Sequence, residues 1–333
     1  MEYNAILRDL KNKTYKPIYF LMGEEPYYID LITDYIASNV LNESEKTFNQ
    51  IVLYGKDTTV PDIINTARRF PMMSSYQVVI VKEAQTLNNI DDLCFYAEAP
   101  LPSTILVINY KYSSLDGRKK LSRIISEKGV LFESKKLYDD KIPGWITSWL
   151  NEKNINIELK ASVLITEFLG NDLAKIANEL EKLIITLPEG SGTITADHIE
   201  KYIGISKDYN NFELNKALIQ LNVLKANRII NYFDKNQKNN PVSLTISSLY
   251  YLFSRVLLYH FIRDKSKKNI ASALNINPFF VSDYELAARH YTPAKVVSII
   301  ALLREYDLKS KGFGNVSMSP GGLLKELVYK ILH

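Results

Sequence analysis

Five short apolar runs, each followed by a helix-like segment or a turn, occupy the first 140 residues and restrict what this chain can fold into. PIYFLM (17–22) stops at Gly23, FNQIVLY (48–54) ends at Gly55, and VVIV (78–81), TILVI (104–108) and VLFE (130–133) follow. Short apolar runs bounded by turn residues read as buried strands. Between them, residues 27–40 carry Tyr28, Ile32, Tyr35 and Ile36 at helical spacing, and Val60, Ile63, Ile64 and Ala67 form a second stripe bounded by Pro71. A polar helix is expected over about 89–97 and another over 116–127, with Gly129 as its stop. Strands alternating with helices imply βαβ units around a mainly parallel sheet.

The remaining two hundred residues change character. Leu173, Ile176, Leu180, Leu183, Ile184 and Leu187 share one face of a helix, and Asn178, Glu181 and Lys182 point elsewhere. LPEGSG (187–192) is a loop by composition, and Thr195 is a candidate N-cap for a helix to Ile203. Helical stripes then follow at roughly 212–221, 225–235, 242–264, 267–274, 279–289, 293–310 and 319–332. The expected organisation is an α/β domain over 1–138, a small helical domain over 139–206 and a larger helical domain over 207–333.

Composition adds limits rather than a function. Hydrophobic residues make up 46% and charged residues 23% of 333, enough to bury a core. The formal charge of +4 is too mild to argue for a freestanding nucleic-acid binder. Cys94 is the one cysteine, so no internal disulfide or multi-cysteine metal site can form. Met1 is followed by Glu, Tyr and Asn without a basic region leading into an apolar stretch, and no window approaches eighteen uninterrupted apolar residues. The expectation is a soluble, cytoplasmic protein.

In an α/β domain the first strand-to-helix turn is where a phosphate loop would lie. Such a loop needs glycines for close backbone approach, a Lys for the terminal phosphates and a Ser or Thr for magnesium. This chain has Met22-Gly23-Glu24-Glu25-Pro26-Tyr27 there. Glu24 and Glu25 would repel phosphate, and Pro26 lacks an amide donor. The same residues suit a helix start, since acidic groups favour its positive end and Pro fits its first turn. Gly23, Glu24 and Glu25 are therefore read as a degenerate phosphate loop that does not bind nucleotide. His198, His260, His290 and His333 lack metal-ligand spacing, and no Gly-x-Ser-x-Gly elbow occurs. Asp91-Asp92 and Asp139-Asp140 read as solvated helix-start carboxylates. No catalytic residue, cofactor or metal is nominated.

One turn stands out on physical grounds. Pro71 breaks the helix ending near Arg69 and crowds Phe70, Met72 and Met73 at a loop. Either they plug the sheet edge, with Phe70 the best suited to the core, or they stand out as anchors for a partner. Unbranched Met adapts to a partner's apolar pocket.

Particular stretches bear a family likeness. PIYFLMGEEPYYID (17–30), FPMMSSYQVVIVKEA (70–84), GVLFESKKLYDDKIPGWITSWL (129–150), GNDLAKIANELEKLI (170–184) and LREYDLKSKGFG (303–314), with Leu323, Leu324 and Leu327 beyond, occur in order along nearly the whole chain. They resemble the delta subunits of the bacterial DNA polymerase III clamp loader, which are related to the AAA+ ATPases. The resemblance implies an AAA+-like N-terminal domain with a degenerate phosphate loop, a helical lid and a helical collar. It implies a subunit that binds and opens the ring-shaped sliding clamp (beta) without hydrolysing ATP itself. Its partners would be the gamma/tau and delta prime subunits and primer-template DNA, with no membrane involved. Phe70, Met72 and Met73 match the family's clamp-binding positions. The lone Cys94 follows Leu93, so the Ser-Arg-Cys arginine-finger motif is missing.

Arg118, Lys119 and Lys120 are candidate DNA phosphate contacts, weighed against an ordinary solvated face; Lys265, Lys267 and Lys268 form a second basic cluster. Three other readings remain open: another non-catalytic AAA+-like adaptor subunit, a sequence-independent DNA-binding protein, and a small-molecule enzyme using the α/β cleft.

Overall fold

The computed structural model describes residues 2–187, 192–204, 206, 208–314 and 317–333. The chain divides into two compact units, Met1–Leu137 and Tyr138–His333.

In the first unit the elements run α1 (Tyr3–Lys11), β1 (Ile18–Gly23), α2 (Pro26–Asn39), α3 (Glu43–Asn49), β2 (Gln50–Tyr54), α4 (Val60–Ala67), β3 (Gln77–Lys82), α5 (Cys94–Ala97), β4 (Thr104–Lys111), α6 (Lys120–Lys128) and β5 (Val130–Glu133). All five strands expected from the sequence pair in one sheet of order β2-β3-β4-β1-β5. Every pairing in it is parallel. A parallel sheet must be covered on both faces, because its crossovers lay helices there and its strands are apolar throughout. Alternate side chains serve the two faces. Tyr19, Leu21, Val78, Ile80, Ile105 and Val107 pack with Ile6 and Leu10 of α1 and Ile29, Ile32 and Ile36 of α2. Ile18, Phe20, Val79, Val81, Leu106 and Ile108 pack with α4, α5 and α6 on the other side.

In this unit two helices were not foreseen, α1 and α3. The expected strand at 48–54 begins two residues later, because Asn42 and Glu45 form a capping box that makes Glu43–Asn49 helical. The expected helix over 89–97 is a 3-10 turn at Ile90–Leu93 followed by the single turn of α5.

The second unit is helical: α7 (Ile142–Asn151), α8 (Leu159–Leu169), α9 (Leu173–Thr186), α10 (Ala196–Ile203), α11 (Asn211–Ile219), α12 (Val223–Lys235), α13 (Val242–Phe261), α14 (Lys267–Leu274), α15 (Val281–His290), α16 (Pro293–Ser310) and α17 (Pro320–Leu332). Two short strands unforeseen in the sequence, β6 (Asn156–Ile157) and β7 (Thr193–Ile194), pair in parallel. Leu173, Ile176, Leu180 and Leu183 of α9 are buried, as their stripe requires. Thr195 caps α10, its hydroxyl accepting from the His198 amide. Most of the expected loop at 187–192 lies outside the described residues, as does 207, the expected start of the third domain.

Helices α11 to α17 share one core built on Leu218, Phe233, Leu249, Phe253, Leu303 and Leu327. Helix α13, 20 residues at mean hydropathy 1.2, has the length and composition of a membrane span. Here it places Ile246, Leu249, Leu252, Phe253 and Val256 in that core, as a core helix does.

Helix α8 is tied to α11. Glu167 accepts the Phe212 amide at 2.9 Å, and Lys160 pairs with Glu213 at 2.8 Å. Burial pushes the Glu167 carboxyl up to about 8, against the pull of the Phe212 amide and with help from the nearby Glu213 carboxylate. The folded chain thus keeps a proton that the unfolded chain releases near 4.5. Stability from this group is complete at acid pH and declines as pH rises from about 4.5 through about 8. Glu167→Gln should flatten that decline, worth on the order of a few kcal/mol. Urea unfolding of both proteins at pH 5 and pH 8.5 tests this, and an unchanged pH dependence in the variant would refute it.

Gly23 ends β1 at φ +123°, and a Cβ there would lie 2.1 Å from the Ser134 carbonyl oxygen. Gly117 has open space around it. Gly23→Ala should therefore destabilise the first unit by about 2 kcal/mol or more, whereas Gly117→Ala should stay within about 0.5 kcal/mol. Chemical denaturation of the two variants checks both values.

Candidate functional site

The parallel order of the sheet gives it two distinct ends. The chain leaves β1 towards the α2 face and leaves β4 towards the α6 face. The crevice outside the carboxyl ends of these neighbouring strands is where open α/β sheets bind ligands. The Gly23-Glu24-Glu25 turn lies there, and the chain's own backbone fills it. The Gly23 amide donates to the Ser113 carbonyl at 2.9 Å, and its carbonyl accepts from the Tyr112 amide at 2.8 Å. On the other side the Ser134 amide donates to the Met22 carbonyl at 2.7 Å, and the Glu25 amide to the Ser134 carbonyl at 3.2 Å. The amides that a phosphate loop turns towards its ligand are here bonded within the protein.

The start of α2 is likewise taken. Glu25 is 4% exposed and is the N-cap, accepting the Tyr27 amide at 3.0 Å, with Pro26 in the first turn. A carboxylate of the chain thus occupies the positive helix end that attracts phosphate in nucleotide binders. Glu24 is exposed. Across the mouth, Lys111 at the end of β4 pairs with Asp30 of α2 at 2.6 Å.

The opposite end of the sheet holds the second feature. Helix α4 ends at Ala67 and β3 begins at Gln77, so residues 68–76 form the connection at the sheet's amino end. Phe70 is 76% exposed, Met72 62% and Met73 fully exposed. The alternative in which these side chains plug the sheet edge, with Phe70 in the core, is excluded. The space beneath α4 is already filled by Val60, Ile63, Ile64 and Ala67 against Leu93 and Tyr96, and the chain turns outward at Pro71. All three large apolar side chains therefore stand in solvent on one short turn.

The turn is held from below. Gln77, buried at the start of β3, donates its side-chain amide to the Thr66 carbonyl in the last turn of α4 at 2.9 Å. Asn49, 1% exposed at the end of α3, grips Met72 from both sides of its backbone. Its Oδ1 accepts the Met72 amide at 2.6 Å, and its Nδ2 donates to the Met72 carbonyl at 2.9 Å. The same Nδ2 also donates to the Glu45 carbonyl at 3.1 Å. Met73 then takes a left-handed backbone conformation, φ +53°, a strain of about 1–3 kcal/mol for a non-glycine residue. Sequence reading passed over Asn49 because its segment looked like an alternating strand. Asn109 and Asn210 are buried as well, and what distinguishes Asn49 is its pair of bonds to the Met72 backbone, 23 residues away.

Arg118, Lys119 and Lys120 are engaged with carboxylates. Arg118 forks onto Asp116 at 2.8 and 3.0 Å, Lys119 pairs with Asp91 at 2.5 Å, and Lys120 pairs with Glu98. Hydrogen bonds from these partners hold Asp116 and Glu98 below the usual carboxylate range. Asp91 is thus an ion-pair partner, which its reading as a solvated helix-start carboxylate did not foresee. In the second basic cluster Lys265 lies over the Tyr259 ring at 3.6 Å. Among the histidines, His260 and His290 donate to the Tyr291 and Ile219 carbonyls at 2.8 Å, and His198 accepts the Thr195 amide at 3.2 Å.

Residues 19–135, which include both turns, match the family described as DNA polymerase III, delta subunit. Over 319 residues the chain is 25% identical to DNA polymerase III subunit delta of Bacillus subtilis (strain 168), covering 92% of this chain and 91% of that protein. Its fold is that of the Bacillus subtilis DNA clamp loader delta protein, at a TM-score of 0.60 and 23% identity, with 99% of each chain covered. Family match, full-length similarity and fold agree: the chain is similar to the delta subunits of bacterial DNA polymerase III, and its first unit carries the match to that family's model.

Proposed function

We propose that the chain serves as the delta subunit of a replicative clamp loader, binding and opening the sliding clamp by means of the Phe70–Met73 turn and hydrolysing no ATP itself. The observation that carries this reading is the presentation of Phe70, Met72 and Met73 in solvent on a braced turn. Burying one such side chain in a partner is worth about 1.5–3 kcal/mol, and a few anchors can carry most of an interface's energy. Opening then proceeds by differential binding. A clamp whose interface fits this turn better when the ring is sprung has its population shifted towards the open form.

The filled crevice at Gly23 supports a subunit that leaves ATP chemistry to its neighbours. In this reading 1–138 is the AAA+-like clamp-binding domain, 139–206 is the lid and 207–333 is the collar. The exposed Tyr250, Leu258 and Phe261 of α13 and Tyr329 of α17 offer the collar apolar surface for gamma/tau and delta prime subunits. Arg118, Lys119 and Lys120 could reach primer-template DNA only by giving up Asp116, Asp91 and Glu98. DNA contact is therefore secondary to clamp binding, and the place of action is the cytoplasm, where replication occurs.

Two measurements on the purified chain and its organism's sliding clamp test the proposal. Met72→Ala/Met73→Ala should weaken clamp binding by about tenfold or more, which is about 1.4 kcal/mol; an unchanged Kd would sink the assignment of the turn. ATP with magnesium should leave the wild-type Kd unmoved and give no binding heat of its own. Saturable ATP binding would instead favour a nucleotide-dependent adaptor.

A further inference from the structure

We infer that Asn49 is a positioning residue for the partner-binding turn, pre-setting the backbone of Met72 and Met73 before the clamp arrives. The inference rests on the clamp-binding reading above and deepens it. A turn carrying three exposed apolar side chains has little packing of its own to fix its shape. A flexible turn would have to be ordered on binding, and ordering is subtracted from affinity. Here the order is supplied from α3. Strands β2 and β3 are parallel neighbours with Gln50 opposite Val78, so the residue just before β2 and the connection leading into β3 meet at one end of the sheet. Asn49 stands at that place and satisfies both the amide and the carbonyl of Met72.

The bidentate grip needs an amide side chain. Aspartate could accept from the Met72 amide but could not donate to the Met72 carbonyl, and alanine could do neither. The third bond, to the Glu45 carbonyl, anchors the amide to α3. Burial of Asn49 keeps water from competing for these bonds. The left-handed Met73 follows directly, so holding Met72 also holds the residue that takes up the strain.

The test is a cycle of four full-length proteins: wild type, Asn49→Ala, Met72→Ala/Met73→Ala and the triple variant. Each is measured for clamp Kd, for amide hydrogen exchange at Met72 and for thermal unfolding. Asn49→Ala is expected to speed exchange at Met72 and to weaken clamp binding by about tenfold, with almost no further loss in the background lacking both Met side chains. That non-additivity separates positioning from general loosening, which would weaken binding in either background. Asn49→Asp, which keeps one of the two bonds to Met72, should fall between wild type and Asn49→Ala and serves if the alanine variant does not fold. Clamp binding lost in Met72→Ala/Met73→Ala but unchanged in the Asn49 variants overturns this inference and leaves the function standing. No clamp binding by folded wild type overturns both, and full additivity in the cycle reduces Asn49 to a structural residue.

Discussion

The parallel pairing of β1 with both β4 and β5 is the constraint from which the rest of the first unit follows. Parallel strands align all their carboxyl ends at one edge and all their amino ends at the other. The carboxyl edge becomes the crevice between β1 and β4, and the amino edge becomes the platform for Phe70, Met72 and Met73. Gly23 sits where β1, β4 and β5 converge, with the backbone at Ser113 on one side and at Ser134 on the other. Only a residue without a Cβ fits there. A glycine that in a phosphate loop would let phosphates approach the backbone here lets the protein's own backbone approach instead.

Much of this could be read from residues alone, because the signals involved are local. Five apolar runs gave five strands, since short β-rich stretches between turn residues have few other uses. Glu25 and Pro26 announced a helix start in their own sequence, and the structure uses them that way. The helices of the second unit followed their apolar stripes closely, α13 and α16 among them.

What the sequence left unread has two physical causes, one local and one of long range. The last two residues of α3, Phe48 and Asn49, read as strand because they run into the true alternation of β2, and the deciding signal was a capping box of polar side chains. For Phe70 the sequence left core and surface both open, because large aromatic rings usually pack inside; the space beneath α4 is filled, and the ring stands in solvent. The ion-pair partners of Lys119 and Lys120 could not be named from the sequence, because Asp91 and Glu98 lie more than twenty residues away along the chain. Asn49 and Met72 are likewise 23 positions apart. Contacts of that range depend on which strands become neighbours, and a single sequence states strand order only weakly.

The two ends of the sheet solve opposite problems with the same kind of device. A helix end that ordinarily takes a phosphate from solution is given a carboxylate by its own chain, so Glu25 and Ser134 settle that turn without a ligand. An exposed apolar turn that would ordinarily collapse or wander is given a buried side-chain amide, so Asn49 settles that one too. In each case a bond within the chain replaces order that a ligand would otherwise bring. Under the proposed role this has a direct consequence: neither nucleotide nor partner is needed to set the shape of the clamp-binding unit, and the free energy of clamp contact is left for distorting the clamp instead of ordering the loader.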